Sequence, residues 1–421
     1  MNNTNDEKKL IEELKKSVYG WYDPNMGPDV LVIEDGPDKL EQIAKEKKYD
    51  HIVSLCVHEK CTDPVGFLIL LKEHLNPDGT LLLCANNRLG IRYFCGDRDR
   101  YTHRVLDGID DYSRAYGKKE DIFTGRMYDR QQLTDMLKTA GFSSLQFFSI
   151  FPTVEVATHI FRDDFYPTES LSGRVLPFYD YPNTVYLEET RLWQGLIDNK
   201  IFHKMANGYL VECKMRDDRK MSDVLSVTAS VERGEEDALF TIVHANGDGK
   251  PQNVEKRAVY DRGKSRLQEL YDHERALRNK GIYTVEGTFR GNSYTMPYVH
   301  AIPGNKYLEE LLLSGDTDGF LSALDAFTEQ IQKSSETYEG IYVPDLDIFI
   351  FERKKAEKQQ KEDTVQTQLL KTAYIDMIPL NSFFEDGKFR FYDQEFIRED
   401  YPVKAVIYRV IISLYSGNYR L

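Results

Sequence analysis

The chain is poor in cysteine, has no surplus of positive charge and contains no long apolar run. Its 421 residues include five cysteines, which show neither the paired spacing of a zinc site nor a disulfide framework. Acidic residues outnumber basic ones by 69 to 55, and the net charge of -14 disfavours nucleic acid and anionic lipid as partners. No stretch approaches the roughly 20 apolar residues of a transmembrane helix, and the N-terminus lacks a signal-peptide pattern. These absences predict a soluble cytoplasmic protein without a transmembrane segment, which would reach the inner membrane only through partner proteins.

The first 150 residues alternate between short apolar runs and stretches with helical spacing. Runs of this kind are typical of buried parallel strands. The alternation therefore predicts an open α/β sheet. The predicted strands are Asp29–Ile33, Asp50–Val57, Thr80–Ala85 and Leu145–Ile150, and the predicted helices are Pro37–Lys48, Pro64–Leu75 and Asp129–Ala140.

Two segments directly follow predicted strands of this sheet. They are Cys56–Glu59 and Asn86–Gly90. Ligands of open α/β sheets bind beyond the carboxyl ends of the strands. Both segments are therefore predicted to border a ligand site.

In the second half, a strand lysine and a helix glutamate follow each other in the order used by protein kinases. The stretch from Leu225 to Val259 predicts three strands, with Lys256 on the third. A helical pattern follows, on which Glu274 or Glu269 could face the lysine. In a kinase small lobe the lysine holds the nucleotide phosphates and the glutamate orients it. The order predicts nucleotide-binding roles for Lys256 and Glu274, although ordinary surface charges explain each residue taken singly.

Polar residues near the C-terminus have the spacing of a kinase catalytic loop. Asp376 and Asn381 form an Asp-x4-Asn step, in which Asp376 would accept the proton of the attacking hydroxyl and Asn381 would bind Mg²⁺. The Asp-Gly pair at 386 and 387 predicts a hairpin that returns Asp393 to this loop as a second metal ligand, with Glu395 as a further one. The cofactors predicted from this pattern are ATP and Mg²⁺. An ordinary hairpin with a loop aspartate and a loop asparagine remains the alternative.

Several segments resemble a known family. The likeness is to class I S-adenosylmethionine (SAM)-dependent methyltransferases, and above all to bacterial surface-polysaccharide enzymes of the O-antigen chain-terminating type, which fuse a methyltransferase domain to a kinase domain. The resemblance implies a Rossmann-like sheet followed by an α+β protein-kinase-like domain. It also implies a glycan or glycolipid acceptor and a partner protein in a polysaccharide assembly complex. The segments that carry it are Tyr49–Val53, Leu75–Leu83, Asn87–Gly96, Leu137–Phe142, Phe161–Pro167, Asp376–Asn381 and Tyr392–Glu395.

The start of the chain departs from this family. A class I methyltransferase needs a glycine-rich turn after its first strand and an acidic residue at the end of its second. Only about fifty residues precede Tyr49, and a charged helical pattern at Asn5–Val18 stands where these units belong. The methyltransferase sheet is therefore predicted to be truncated, and SAM is disfavoured as a cofactor. A rival interpretation keeps Asp29–Ile33 as the first strand and lets Asp35, Gly36 and Asn86 hold the cofactor.

The predicted organisation is a methyltransferase-like domain at 1–150, an aromatic and proline-rich interdomain segment at 151–220 and a kinase-like domain at 221–421. The kinase-like domain would have a small lobe at 221–299 and a short large lobe at 300–421. A helix is predicted over Asn183–Met205. The leading hypothesis is an ATP- and Mg²⁺-dependent phosphotransferase acting on a sugar hydroxyl in surface-polysaccharide biosynthesis. The alternatives are a SAM-dependent methyltransferase of the same pathway and a non-catalytic scaffold with two relic domains.

Overall fold

A computed structural model describes residues 17–22, 30–34, 36, 47–167, 171, 174–343 and 364–415. The chain divides into two compact units, Met1–Gly263 and Lys264–Leu421. The helices predicted over 5–18 and 37–48 lie almost wholly outside the described residues. The described helices include none that is long and apolar enough to cross a membrane.

The first unit is built on one mixed sheet. Its nine described strands lie in the order β1-β2-β3-β6-β4-β5-β7-β8-β9. β1, β2 and β3 are parallel, and β6 runs antiparallel to both β3 and β4, so that β4 points the same way as the first three. The strands are β1 (Val30–Ile33), β2 (Tyr49–Leu55), β3 (Leu75–Asn86), β4 (Ser144–Pro152), β5 (Ala157–Arg162), β6 (Gly208–Lys214), β7 (Val224–Ala229), β8 (Leu239–Ala245) and β9 (Pro251–Ala258).

Strand β3 shows why both faces of this sheet are covered. Successive side chains of a strand point to opposite faces. Leu81 and Leu83 belong to one buried cluster, which includes helical residues, whereas Leu82 and Cys84 belong to a second cluster around Trp21. Because all four are fully buried, the near-continuous apolar run is explained by a sheet with two packed faces. The predicted α/β fold of the first unit is confirmed at this level.

Short helices accompany the sheet. They are α1 (Pro64–Glu73), α2 (Ile91–Phe94), α3 (Arg130–Thr139) and α4 (Trp193–Asp198). α3 begins with a capping box, in which the Asp129 carboxylate accepts from the Gln132 backbone and the Gln132 side chain accepts from the Asp129 backbone. The long helix predicted over 183–205 is wrong, because only α4 and separate 3₁₀ turns form there. Tertiary contacts of this segment, such as the stacking of Phe202 on Phe151 at 4.7 Å between ring centroids, override the helical pattern.

The strands predicted for a kinase small lobe form, but they continue the sheet of the first unit. β7 pairs with β5 through His159 and Thr228, and β8 and β9 follow in antiparallel order. The division between the two units falls after Gly263, on the far side of these strands. The domain boundaries predicted near 150 and 220 stay predictions.

The second unit combines helices with small sheets. Its core includes Phe327, Leu370 and Phe391, all fully or almost fully buried. Strands β12, β15 and β16 form one sheet, and β13, β14 and β17 form another. The elements are α5 (Lys264–Asn279), β10 (Thr288–Arg290), β11 (Ser293–Pro297), β12 (Ile302–Pro303), α6 (Gly304–Ser314), α7 (Thr317–Lys333), β13 (Thr337–Tyr342), β14 (Val365–Tyr374), β15 (Ser382–Glu385), β16 (Lys388–Phe391), β17 (Ile397–Pro402) and α8 (Val403–Tyr415).

Candidate functional site

Three parallel strands of the first unit end at the same edge of the sheet. The residues that follow them supply polar side chains: Glu59 after β2, Asn86 at the end of β3 and Glu155 after β4. This edge is where open α/β sheets place their ligands. We call these residues, together with Arg100 and Tyr101, the strand-end cluster.

The backbone after β2 turns sharply, and this turn places the Glu59 carboxylate on β3. Cys56 adopts a left-handed conformation with φ 57°, and a 3₁₀ turn at Val57–Lys60 follows. The Asn86 backbone N–H then donates to Glu59 Oε1 at 2.6 Å, and Asn86 Nδ2 donates to Oε2 at 3.1 Å. The two segments that the sequence predicted at the site edge are therefore joined by a buried carboxylate.

A long connection between α2 and α3 lies over this carboxylate. The Tyr101 hydroxyl donates to Glu59 Oε2 at 2.6 Å, and the Arg126 backbone N–H donates to the Glu59 carbonyl at 2.8 Å. Asp99 organises the connection, because its carboxylate accepts from the Tyr101 backbone at 2.9 Å and from the Tyr112 hydroxyl at 2.7 Å. Tyr101 is thus held by hydrogen bonds from both its backbone N–H and its hydroxyl group.

Burial sets the proton affinity of these groups. Glu59 has no exposed surface, and burial raises its pKa to about 7, although hydrogen bonds from Tyr101 and Asn86 and the nearby Arg100 act in the opposite direction. The neighbouring His58 is equally buried, and burial lowers its pKa to about 3. Side chains with strongly shifted pKa values are typical of functional sites.

An ion pair forms the outer rim of the strand-end cluster. Arg100 Nη1 lies 2.5 Å from Glu155 Oε1, and the two side chains are 21% and 41% exposed. When Glu59 is ionised, the carboxylates of Glu59 and Glu155 and the guanidinium of Arg100 give the cluster a net charge of one negative unit. The described residues contain no group of three or more His, Cys, Asp or Glu side chains arranged to hold a metal ion. With Glu59 ionised, the electrostatic attraction at the strand-end cluster is therefore for positive charge.

Sequence reasoning found two of the cluster's segments and missed its other members. Arg100, Tyr101 and Glu155 follow no strand pattern of their own and have no motif spacing. The available signal was the charged and aromatic run Asp97–Tyr101 directly after the distinctive Asn87–Gly96 segment. A connection of this length inside a compact domain is often functional.

The hairpin predicted for the second unit is confirmed. β15 and β16 pair in antiparallel register, and the turn residues Asp386 and Gly387 both have positive φ, 51° and 74°. This is the turn geometry that an Asp-Gly pair favours. The Tyr392 backbone N–H donates to the Asn381 carbonyl at 3.0 Å, so the hairpin brings the segment of Asp393 back to the predicted loop.

The loop itself is held by hydrogen bonds around Asp376. Its carbonyl accepts from Asn381 Nδ2 at 3.2 Å and from Gln394 Nε2 at 3.0 Å, and its carboxylate accepts from the Phe396 backbone at 2.8 Å. Asp393 has a left-handed backbone with φ 61°. The structure thus brings Asp376, Asn381 and Asp393 into one loop region, while their catalytic and metal-binding roles stay predictions.

The remaining predicted residues are buried, except Glu269. Lys256 lies on β9 in the first unit and is 5% exposed. Glu274 lies on α5 in the second unit and accepts a hydrogen bond from the Tyr294 hydroxyl, whereas Glu269 forms an exposed pair with Arg266. Glu395 is 4% exposed, and its carbonyl accepts from Arg266. In the described part of the chain, Glu395, Asp376 and Asp393 do not form a three-carboxylate metal group.

No family model and no curated protein matches the chain. Among solved structures it is similar to a SAM-dependent methyltransferase from Thermotoga maritima, a possible histamine N-methyltransferase, with 10% identity, a TM-score of 0.27 and coverage of 51% of this chain and 96% of the other. A SAM-dependent methyltransferase from Archaeoglobus fulgidus matches at 13% identity, TM-score 0.27 and coverage of 51% and 100%. PKMT2 from Rickettsia typhi, in complex with AdoHcy, matches at 10% identity, TM-score 0.19 and coverage of 50% and 48%. The likeness spans about half of this chain, and TM-scores this low carry no argument about its activity.

The cofactor prediction is wrong where it disfavours SAM. The solved structures to which the chain is similar are SAM-dependent methyltransferases or hold AdoHcy, so the exclusion of SAM does not stand. SAM was disfavoured because the start of the chain lacks the glycine-rich turn and the acidic strand end of the family, whereas polar groups at a sheet edge also come from other strand ends, as they do here. The predicted kinase half and polysaccharide-assembly family find no support in these comparisons and stay predictions.

Proposed function

We propose that the chain is a transferase whose first unit binds SAM at the strand-end cluster and acts as a methyltransferase. The observation that carries the proposal is the convergence of Glu59, Asn86 and Glu155 at the carboxyl ends of three parallel strands. The resemblance of Tyr49–Val53 and Asn87–Gly96 to class I methyltransferases supports the same cofactor.

The charge of the cluster fits this ligand. SAM carries a sulfonium cation and an amino acid group, and a site with two carboxylates and one guanidinium favours a cation by simple Coulomb attraction. The half-buried rim formed by Arg100 and Glu155 provides polar partners of both signs for the amino acid group. When bound, SAM would supply an electrophilic methyl group, and the protein would bind and orient it.

The rival interpretation of the N-terminus accommodates this proposal. β1 pairs directly with β2 in parallel register, through Leu31 and Ile52 among others, and so takes its place beside the strands of the cluster. In this interpretation β1 is the first strand of the cofactor-binding part, and Asn86 lies across the sheet edge from it. In this interpretation the cofactor-binding part of the sheet is shortened but still present.

Calorimetric titration of the whole chain with SAM tests the proposal. We expect saturable binding, and Glu155→Lys should weaken it at least about tenfold because it turns an attractive charge at the rim into a repulsive one. Glu73→Lys is the matched control, since it makes the same charge change on an exposed residue beside the amino end of β3, at the opposite edge of the sheet. Absence of binding heat, or equal weakening by both variants, would overturn the proposal.

A second candidate function is phosphoryl transfer in the second unit, on an acceptor hydroxyl such as that of a sugar. The specific observation in its favour is the loop region in which the hairpin brings Asp376, Asn381 and Asp393 together. Positioning of this kind is most of what a phosphotransferase must provide.

Titration with magnesium-ATP as a probe tests the second candidate. Asp393→Asn should abolish a binding signal if Asp393 is a metal ligand. Asp386→Asn is its control, because it makes the same change in charge at a turn position where asparagine is equally well accepted. A binding signal that survives Asp393→Asn would reject the assigned role.

A further inference from the structure

The Glu59 carboxylate lies within the strand-end cluster without a cationic hydrogen-bond partner. Its partners are an amide, Asn86, and a phenol, Tyr101. Within the described part of the chain Glu59 takes part in no ion pair, whereas Arg100 is paired with Glu155 at 2.5 Å. When Glu59 is ionised, its charge is therefore the one that the cluster leaves unbalanced.

We propose that the strand-end cluster recognises the positive charge of its ligand through Glu59, so that a sulfonium compound is bound more tightly than the neutral thioether that remains after methyl transfer. The inference rests on the proposed function and adds to it the property of the ligand that the site selects. Glu59 need not touch the ligand for this. Charges in a buried, weakly polarisable environment interact more strongly over several ångströms than they do in water.

The surroundings of Glu59 determine when its charge is present. Burial raises its pKa to about 7, so the carboxyl group is close to half ionised at neutral pH. A bound cation favours the ionised form, and binding should therefore release a proton from Glu59. The ionisable groups that act on or are affected by Glu59 are Cys56 at the end of β2, Cys84 on β3, Arg100, Tyr101 and Tyr112 on the covering connection, and Tyr128 before α3.

These neighbours do not compete for the titration near neutral pH. The burial of Tyr101 and Tyr112 raises their pKa far above the neutral range, and that of Cys84 is raised likewise by burial. His58, next in the chain, has its pKa lowered to about 3 by burial and stays neutral. Within this cluster, Glu59 is the group whose pKa is raised by burial to about 7.

The test compares SAM with S-adenosylhomocysteine by calorimetry on the whole chain. At about pH 7.5 we expect SAM to bind about tenfold more tightly, which is what one partly screened charge pair contributes. Measured in two buffers of different ionisation enthalpy near pH 7, SAM binding should release up to roughly half a proton more than binding of the thioether. Glu59→Gln should remove both the preference and the proton release, and Glu73→Gln, an exposed residue at the opposite edge, should change neither.

Each outcome decides the matter. Equal affinities for the two ligands, or a proton release that persists in Glu59→Gln, would overturn the inference while leaving SAM binding intact. Binding of neither ligand would overturn the proposed function as well. If Glu59→Gln does not fold, Tyr101→Phe replaces it: loss of the hydroxyl donor raises the proton affinity of Glu59, so the release should move to higher pH. A release that does not move would count against the inference.

Discussion

Replacing Glu59 by glutamine should change how the stability of the first unit depends on pH. Glu59 is fully buried, and its pKa is raised from 4.5 to about 7. The native state therefore holds a proton that the unfolded chain releases above about pH 4.5. This contribution to stability is fully present below the unfolded pKa and is lost as pH rises through the folded pKa. Glutamine cannot ionise, so the variant should lack this loss.

The size of this stability loss follows from the raised pKa of Glu59. A raise of about 2.5 pKa units corresponds to about 3 kcal/mol, lost between about pH 4.5 and about pH 7. The side-chain oxygen of glutamine can accept from the Asn86 backbone and from Asn86 Nδ2, which lies 3.3 Å from Glu59 Oε1. The glutamine NH₂ group can donate to the Tyr101 oxygen, so Asn86 and Tyr101 both keep a partner. We therefore expect Glu59→Gln to gain about 3 kcal/mol relative to the wild type between about pH 5 and about pH 8.

Urea unfolding followed by tryptophan fluorescence is the assay. Both tryptophans, Trp21 and Trp193, are buried in the first unit, so the signal reports on that unit. Buried Glu189, with a pKa also raised to about 7, adds to the wild-type slope, and His58 opposes it. The difference between variant and wild type isolates Glu59, and Glu73→Gln serves as control. Parallel pH profiles for wild type and Glu59→Gln would show that the pKa of Glu59 is not raised in the folded protein.

Three further outcomes follow from packing and backbone geometry. Trp21→Ala should cost about 3–5 kcal/mol in urea unfolding followed by far-UV circular dichroism, because the fully buried ring packs edge-on against Phe148 at 5.3 Å, and a loss under 1 kcal/mol would contradict this packing. Arg92→Met should lower the free energy of unfolding by about 3–5 kcal/mol in the same measurement, because it removes the guanidinium that pairs with the buried Asp97 carboxylate. A loss under about 1 kcal/mol would contradict this buried ion pair. Gly387→Ala should lower the stability of the second unit by about 1–2 kcal/mol in thermal unfolding, because an alanine at φ 74° is strained, and Gly195→Ala, within a helix and facing open space, should not.

Several patterns that depend on local sequence were predicted correctly, although the helix predicted over 183–205 was not. The Asp-Gly turn at 386 and 387 and the strands around Lys256 follow from turn chemistry and apolar alternation, and both are present with small shifts at their ends. The helix of Glu274 runs from Lys264 to Asn279, as its apolar spacing indicates.

Features that depend on long-range contacts could not be predicted. The pairing of β5 with β7 joins residues almost seventy positions apart. No local sequence pattern indicates that the strands before α5 continue the first sheet. The same holds for the hydrogen bond between Tyr101 and Glu59, which lie 42 positions apart. The rule that ligands bind beyond the carboxyl ends of strands located two segments of the site. The residues that cover the site come from an irregular connection.

A crystal structure of the chain grown with SAM is the decisive measurement for cofactor binding at the strand-end cluster. We predict ligand density beyond the carboxyl ends of β2, β3 and β4, bordered by Asn86 and by the Arg100–Glu155 pair, with the sulfonium on the side of Glu59. Crystals grown at saturating SAM that show the ligand at another edge of the sheet, in the second unit, or nowhere on the chain would contradict it.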